Sequence, residues 1–154
     1  MTSIRFFFLS GFVAALFVLA PVGPASADEE GEINYRKSVM KAISGHMGAM
    51  ANIIKGKTVN KGDLKSHADA MAGLSNMAGN VFPKGSDFGE TGTKAAVWQK
   101  PEEFKSAMTS FQSAADGMAK AVSGGDMKAI GGAFGNLGKS CKNCHDTFRE
   151  KKKK

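Results

Sequence analysis

Cysteine is scarce in this chain of 154 residues: Cys141 and Cys144 are its only two, three positions apart. A disulfide framework is thereby excluded, because a ring that small removes little chain entropy and staples nothing distant. With no second cysteine pair, structural zinc would need its other ligands from His46, His67 or His145, brought together across separate segments. After residue 27 no alternating apolar and polar pattern suggests a strand. A basic stripe interleaved with aromatics is also missing, which argues against a nucleic-acid surface. The net charge is +7, but four of the lysines form the terminal run "KKKK" and the body mixes signs, as in "KGDLKSHAD". The basic balance therefore reports a solvated tail, able at most to steer the chain toward an acidic partner.

Long hydrophobic runs are limited to one. Residues 6–20 carry no charge, follow Arg5, and lead through Pro21 to Ala25-Ser26-Ala27, just before an acidic "DEE". This pattern predicts a signal peptide over residues 1–27, cleaved after Ala27, since the run is shorter than the ~20 residues a spanning helix needs. The expected mature protein is a single domain of residues 28–154, exported to the periplasm, with no membrane insertion.

What is present is helical periodicity. Met40, Ile43, Met47, Met50 and Ile54 recur at spacings of three and four, up to Gly56. Leu64, His67, Met71, Leu74, Ala78 and Val81 do the same after Asp63, a candidate N-cap. Phe104, Met108, Phe111, Ala115, Met118 and Val122 follow, and then Met127, Ile130, Phe134, Leu137, Cys141, Cys144 and Phe148 after Asp126. Four such stripes predict an all-α fold, an antiparallel up-down four-helix bundle. One long connection, residues 82–101, separates the second and third helices; Phe82, Phe88 and Trp98 suggest that it packs over a site. Glycines inside the helical stretches, such as Gly45, Gly48, Gly131, Gly135 and Gly138, weaken helix propensity. Close packing against a large apolar body would compensate.

The chemistry is concentrated in Cys141-Lys142-Asn143-Cys144-His145. On a helix Cys141, Cys144 and His145 share the core-facing side. A redox dithiol needs an accessible thiol and usually accompanies a βαβ pattern, which is absent here. C-x-x-C-H is the attachment signature of c-type haem, in which both thiols form thioethers and the histidine binds the iron. That reading suits an exported chain, and it supplies the apolar body that the glycine-rich helices lack.

With this motif near the C-terminus on the last of four helices, the chain resembles the class II cytochromes c, the cytochrome c′ and cytochrome c-556 group. "INYRKSVMKAISGHMGAMANIIKGK" is similar to that family's first helix and "AAVWQKPEEF" to its approach to the third. The resemblance implies one covalent haem c held by Cys141 and Cys144, with His145 as the proximal iron ligand. It places Arg36 near a haem propionate, Trp98 and Phe148 against the macrocycle, and Arg149 near the proximal face. At the distal position stands Met40, where the low-spin branch has a methionine ligand and five-coordinate members have a bulky apolar residue. The reading that follows is a His/Met electron carrier working with redox partner proteins, as a monomer or homodimer, and not an enzyme. The alternative is a five-coordinate protein binding nitric oxide or carbon monoxide. His67 is the rival ligand to Met40, and His46 is expected to face solvent.

Overall fold

The computed structural model describes residues 29–151; the predicted signal peptide and the last three lysines lie outside them. The four predicted helices are there: α1 (Glu29–Ile54), α2 (Leu64–Ala78), α4 (Pro101–Gly124) and α5 (Met127–Phe148), with a single short turn, α3 (Ala96–Gln99), in the long connection. The nearest approach to β-structure among the described residues is an isolated bridge between Thr93 and Arg149.

Local chemistry fixes the helix ends. Pro101 opens α4, where its missing N–H is no loss, and Glu102 and Glu103 in the first turn complement the positive end of the helix. The helix stops at Gly125, which takes a left-handed φ of 74° and donates its N–H to Val122. One residue later the Asp126 carboxylate accepts the N–H of Lys128 at 2.9 Å and starts α5. Asp63 precedes α2 as expected but does not cap it with its side chain; a 3₁₀ turn, Lys61–Asp63, leads directly into the helix.

Four contacts show the antiparallel course. His46, late in α1, meets His67, early in α2. Arg36, early in α1, reaches Val81 just past the end of α2. A Cβ on Gly79, at that same end, would touch Met108 near the start of α4. Phe104 at the start of α4 packs on Phe148 at the end of α5. The core between them is rich in methionine: Met50, Met71, Met118 and Leu137 are fully buried. Each buries enough apolar surface to contribute roughly 1.5–3 kcal/mol, and the flexible thioethers fill irregular gaps between helices.

The stripes are shifted in places. On α2 the fully buried residues are Ala68, Met71, Ser75 and Ala78, so Ala68 takes the inner place expected of His67. On α1 Ile53 is buried rather more than Ile54, and Met127 at the start of α5 is exposed. The helical repeat of 3.6 carries a run of three-and-four spacings slowly around the axis. The glycines also differ from expectation. Gly45, Gly48, Gly131 and Gly135 are exposed, and a Cβ there would meet nothing within 4 Å. They permit no close approach of helices.

The bundle is open along one side. α1 packs on α2, α2 on α4 and α4 on α5, but α1 and α5 make no comparable backbone approach. The gap between them is the functional feature of the fold.

Candidate functional site

A cavity of about 490 Å³ fills that gap. Arg36, Lys37, Met40, Ile43, Ser44 and Met47 form its α1 wall. Gly138, Ser140, Cys141, Cys144, His145 and Phe148 form the α5 wall, and Phe104, Met108 and Phe111 of α4 close the back. The motif residues therefore converge because Cys141 and Cys144 are one turn apart, and His145 lies one turn on from Cys141.

Both cysteines are free thiols, half-buried. Burial pushes the Cys144 thiol up to about 11, helped by neighbouring Cys141 and opposed by the Arg149 charge. Burial raises Cys141 too, against a hydrogen bond from Ser140. Thiols held protonated at neutral pH are poor attacking groups, which disfavours a dithiol exchange site. For His145 the direction is downward, from burial first and then from Arg149, with Asp146 opposing. Its imidazole is thus kept neutral, the form that binds a metal.

One end of the cavity is aromatic. Phe82 packs edge-on against Phe104 at 4.9 Å between ring centres, and Phe104 against Phe148 at 5.2 Å. Next to this stack lies Arg36, 3% exposed. Its Nη1 donates to Val81 O and Ser86 Oγ, and its Nη2 to Ser86 O and Thr91 Oγ1, at 2.7 to 3.3 Å. The guanidinium also lies over the rings of Phe82 and Trp98, 5.1 and 6.0 Å from their centres. Both terminal nitrogens are engaged by the 82–101 connection, so the residue expected beside a propionate is first of all the anchor of that loop. Burial lowers its pKa while Glu32, one turn back, raises it.

Trp98 does not line the cavity. Its indole N–H is shared between the carbonyls of Phe82 and Pro83, both at 3.2 Å, which holds the ring behind Arg36. Phe148 is buried on the cavity wall. Phe88, expected to pack, is 65% exposed. The far end of the connection is pinned to α5, with Lys94 N–H donating to Phe148 O and Glu150 N–H to Gly92 O. Arg149 is exposed and lines the mouth. Neither His67 nor His46 lines the cavity, and His46 is half-buried against His67 rather than facing solvent.

Met47, Met108 and Phe111 reached the cavity through stripe positions already legible as core. Ser86 and Thr91, the acceptors for Arg36, carried no signal in the sequence.

The wall suits a flat, mostly apolar group with polar edges. Methionine, isoleucine and phenylalanine side chains make up much of the lining, and Arg36, Lys37, Thr91 and Arg149 add charged and polar groups to it. A Cβ on Gly138 would meet nothing within 4 Å, so glycine leaves space beside the thiols. A helical bundle with C-x-x-C-H turned into such a cleft has the architecture of a monohaem c-type cytochrome. A family model described as Cytochrome C′ matches residues 31–149. The chain belongs to the cytochrome c′ family, whose members carry one covalently bound haem c. It is 38% identical over 125 residues to cytochrome c′ of Pararhodospirillum photometricum, covering 80% of this chain and all of that one. A solved cytochrome c′ from Shewanella frigidimarina superposes with a TM-score of 0.76 at 36% identity, covering 80% of this chain and 98% of the other. A nitric oxide complex of a cytochrome c′ variant from Alcaligenes xylosoxidans gives 0.74 at 28% identity over 81% and 98%.

Proposed function

We propose that this is a periplasmic haem protein whose iron is held by His145 and whose opposite face, beneath Met40, takes up nitric oxide or carbon monoxide. The observation that carries this reading is the cavity between α1 and α5. Cys141 and Cys144 would hold the haem by thioether bonds along α5, and His145 would be its proximal ligand. Arg36, Lys37 and Arg149 of the lining would offset the haem carboxylates, and Phe148 would pack on the ring, with Trp98 backing Arg36. The haem, when bound, supplies an iron able to bind a diatomic ligand or pass an electron.

The wall contributed by α1 favours the diatomic ligand. Met40, Ile43 and Met47 carry no hydrogen-bond donor, and Ser44 is the sole hydroxyl among the α1 residues lining the cavity. Distal polarity and steric access select the ligand, and the apolar side chains of Met40, Ile43 and Met47 suit an uncharged diatomic that needs no hydrogen bond. The solved Alcaligenes xylosoxidans relative is a nitric oxide complex, which supports the same choice. The uncharged run and small residues that read as a leader over residues 1–27 support export to the periplasm, and no described helix is long and apolar enough to cross a membrane.

A second reading is favoured by one side chain. Met40 is a half-buried thioether on the wall opposite α5. As a soft sixth ligand it would close the iron and favour the ferrous state, suiting electron transfer to redox partner proteins. Absorption spectra of the ferric and ferrous holoprotein, with and without carbon monoxide, separate the two. Expected are high-spin spectra that shift with carbon monoxide, and Met40→Leu should remain high-spin while altering carbon monoxide affinity by up to about tenfold. A low-spin wild type whose thioether-to-iron band vanishes in Met40→Leu would overturn the proposal in favour of the electron carrier.

A further inference from the structure

Away from the cavity, the first and second histidines of the chain meet across the α1–α2 seam. His46 Nδ1 lies 2.9 Å from His67 Nδ1, with ring centres 5.1 Å apart and ring planes at 66°. Both rings are half-buried, and neither lines the haem cavity. The pair is held by the helices themselves: the residues after His46 on α1 and after His67 on α2 include the buried Met50, Ala68 and Met71.

We propose that His46 and His67 form a copper(II) site that clamps α1 to α2, independent of the haem. The donors, two imidazole nitrogens, select the metal. Two nitrogens each about 2.0 Å from one ion stand about 2.8 Å apart across a right angle and about 3.3 Å apart across a tetrahedral one. The observed 2.9 Å is the hydrogen-bonded separation of the metal-free rings, close enough to either spacing that small ring rotations would bring both Nδ1 atoms onto one ion. The divalent order of affinities for nitrogen donors also peaks at copper.

The protonation states accommodate this without loss of a proton. In the metal-free pair one Nδ1 carries hydrogen and donates to the other. When the ion enters between them, that hydrogen moves to Nε2 of the same ring, and both Nδ1 lone pairs face the metal. Burial and the neighbouring His67 lower the pKa of His46, which keeps that ring available in its neutral form. No third His, Cys, Asp or Glu completes a cluster with them among the described residues, so solvent supplies the remaining positions.

Copper(II) chloride titrated into the ferric holoprotein tests the site by calorimetry, with electron paramagnetic resonance reading the donor set. The expected result is one ion per chain with a tetragonal spectrum from two nitrogens, an unchanged haem absorption spectrum, and a higher melting temperature with copper. His46→Ala and His67→Ala should each weaken binding at least tenfold, and the double variant should abolish it. His67→Asn, which can still hydrogen-bond to His46, separates loss of metal binding from loss of packing. Copper binding of undiminished affinity in the double variant, or no binding by the wild type, would overturn the proposal.

Discussion

Arg36 shows how much one side chain can decide. A buried cation is tolerated only when its donors are met, and here two backbone carbonyls and two hydroxyls from residues 81–91 meet them. The same bonds give the long connection a fixed course over one end of the cavity. Removing the guanidinium strands buried acceptors, each worth about 1–3 kcal/mol when left unpaired. Arg36→Met should therefore lower stability by about 2–4 kcal/mol in urea unfolding and expose residues 82–95 to limited proteolysis. Arg36→Lys should recover less than half of that loss, because an ammonium lacks the planar fork. An Arg36→Met protein as stable and protease-resistant as wild type would remove the anchor role. The family resemblance pointed to the residue only as a cation beside a propionate; its loop partners carried no signal, since Ser86 and Thr91 lie 50 and 55 positions away with no pattern to link them.

At the scale of the helices, the ends were readable and the faces less so. Asp126 and Gly125 mark the α4–α5 turn by local rules that need no tertiary context. The inner face of α2, by contrast, turned out to centre on Ala68 and Ser75, small residues that a hydrophobic count passes over but that let helices approach. The exposed glycines of α5 give the complementary case. Gly131 and Gly135 have helical backbones and open space at Cβ, so helix propensity alone sets the effect of replacing them. Gly131→Ala combined with Gly135→Ala should stabilise the holoprotein by about 1–2 kcal/mol in denaturant unfolding, leaving the haem spectrum unchanged. Destabilisation would show that these positions pack against something, such as a second copy of the chain.

The whole molecule is a bundle whose first and last helices touch mainly through what lies between them. Among the long helices α1 leans mainly on α2, while α2, α4 and α5 form a continuous packed unit. Without haem the α1 wall loses its counterpart, and the apolar face of Met40, Ile43 and Met47 is left against water. Protein expressed without haem-maturation machinery should keep amide protection in α2, α4 and α5. The N-terminal half of α1, residues 30–43, should exchange at least tenfold faster than in the holoprotein. Uniform protection, or uniform loss, would show that α1 does not depend separately on the cofactor.

The order of residues along the chain determined the helices, their caps, the apolar stripes and the C-x-x-C-H motif, because each rests on contacts within a turn or two of helix. Proximity in space decided the rest: the gap between α1 and α5, the loop that closes on Arg36, the displacement of Trp98 from the cavity wall, and the meeting of His46 with His67. Those contacts join residues 15 to 55 positions apart, and at such separations pairing is set by how the helices pack, which no local period encodes.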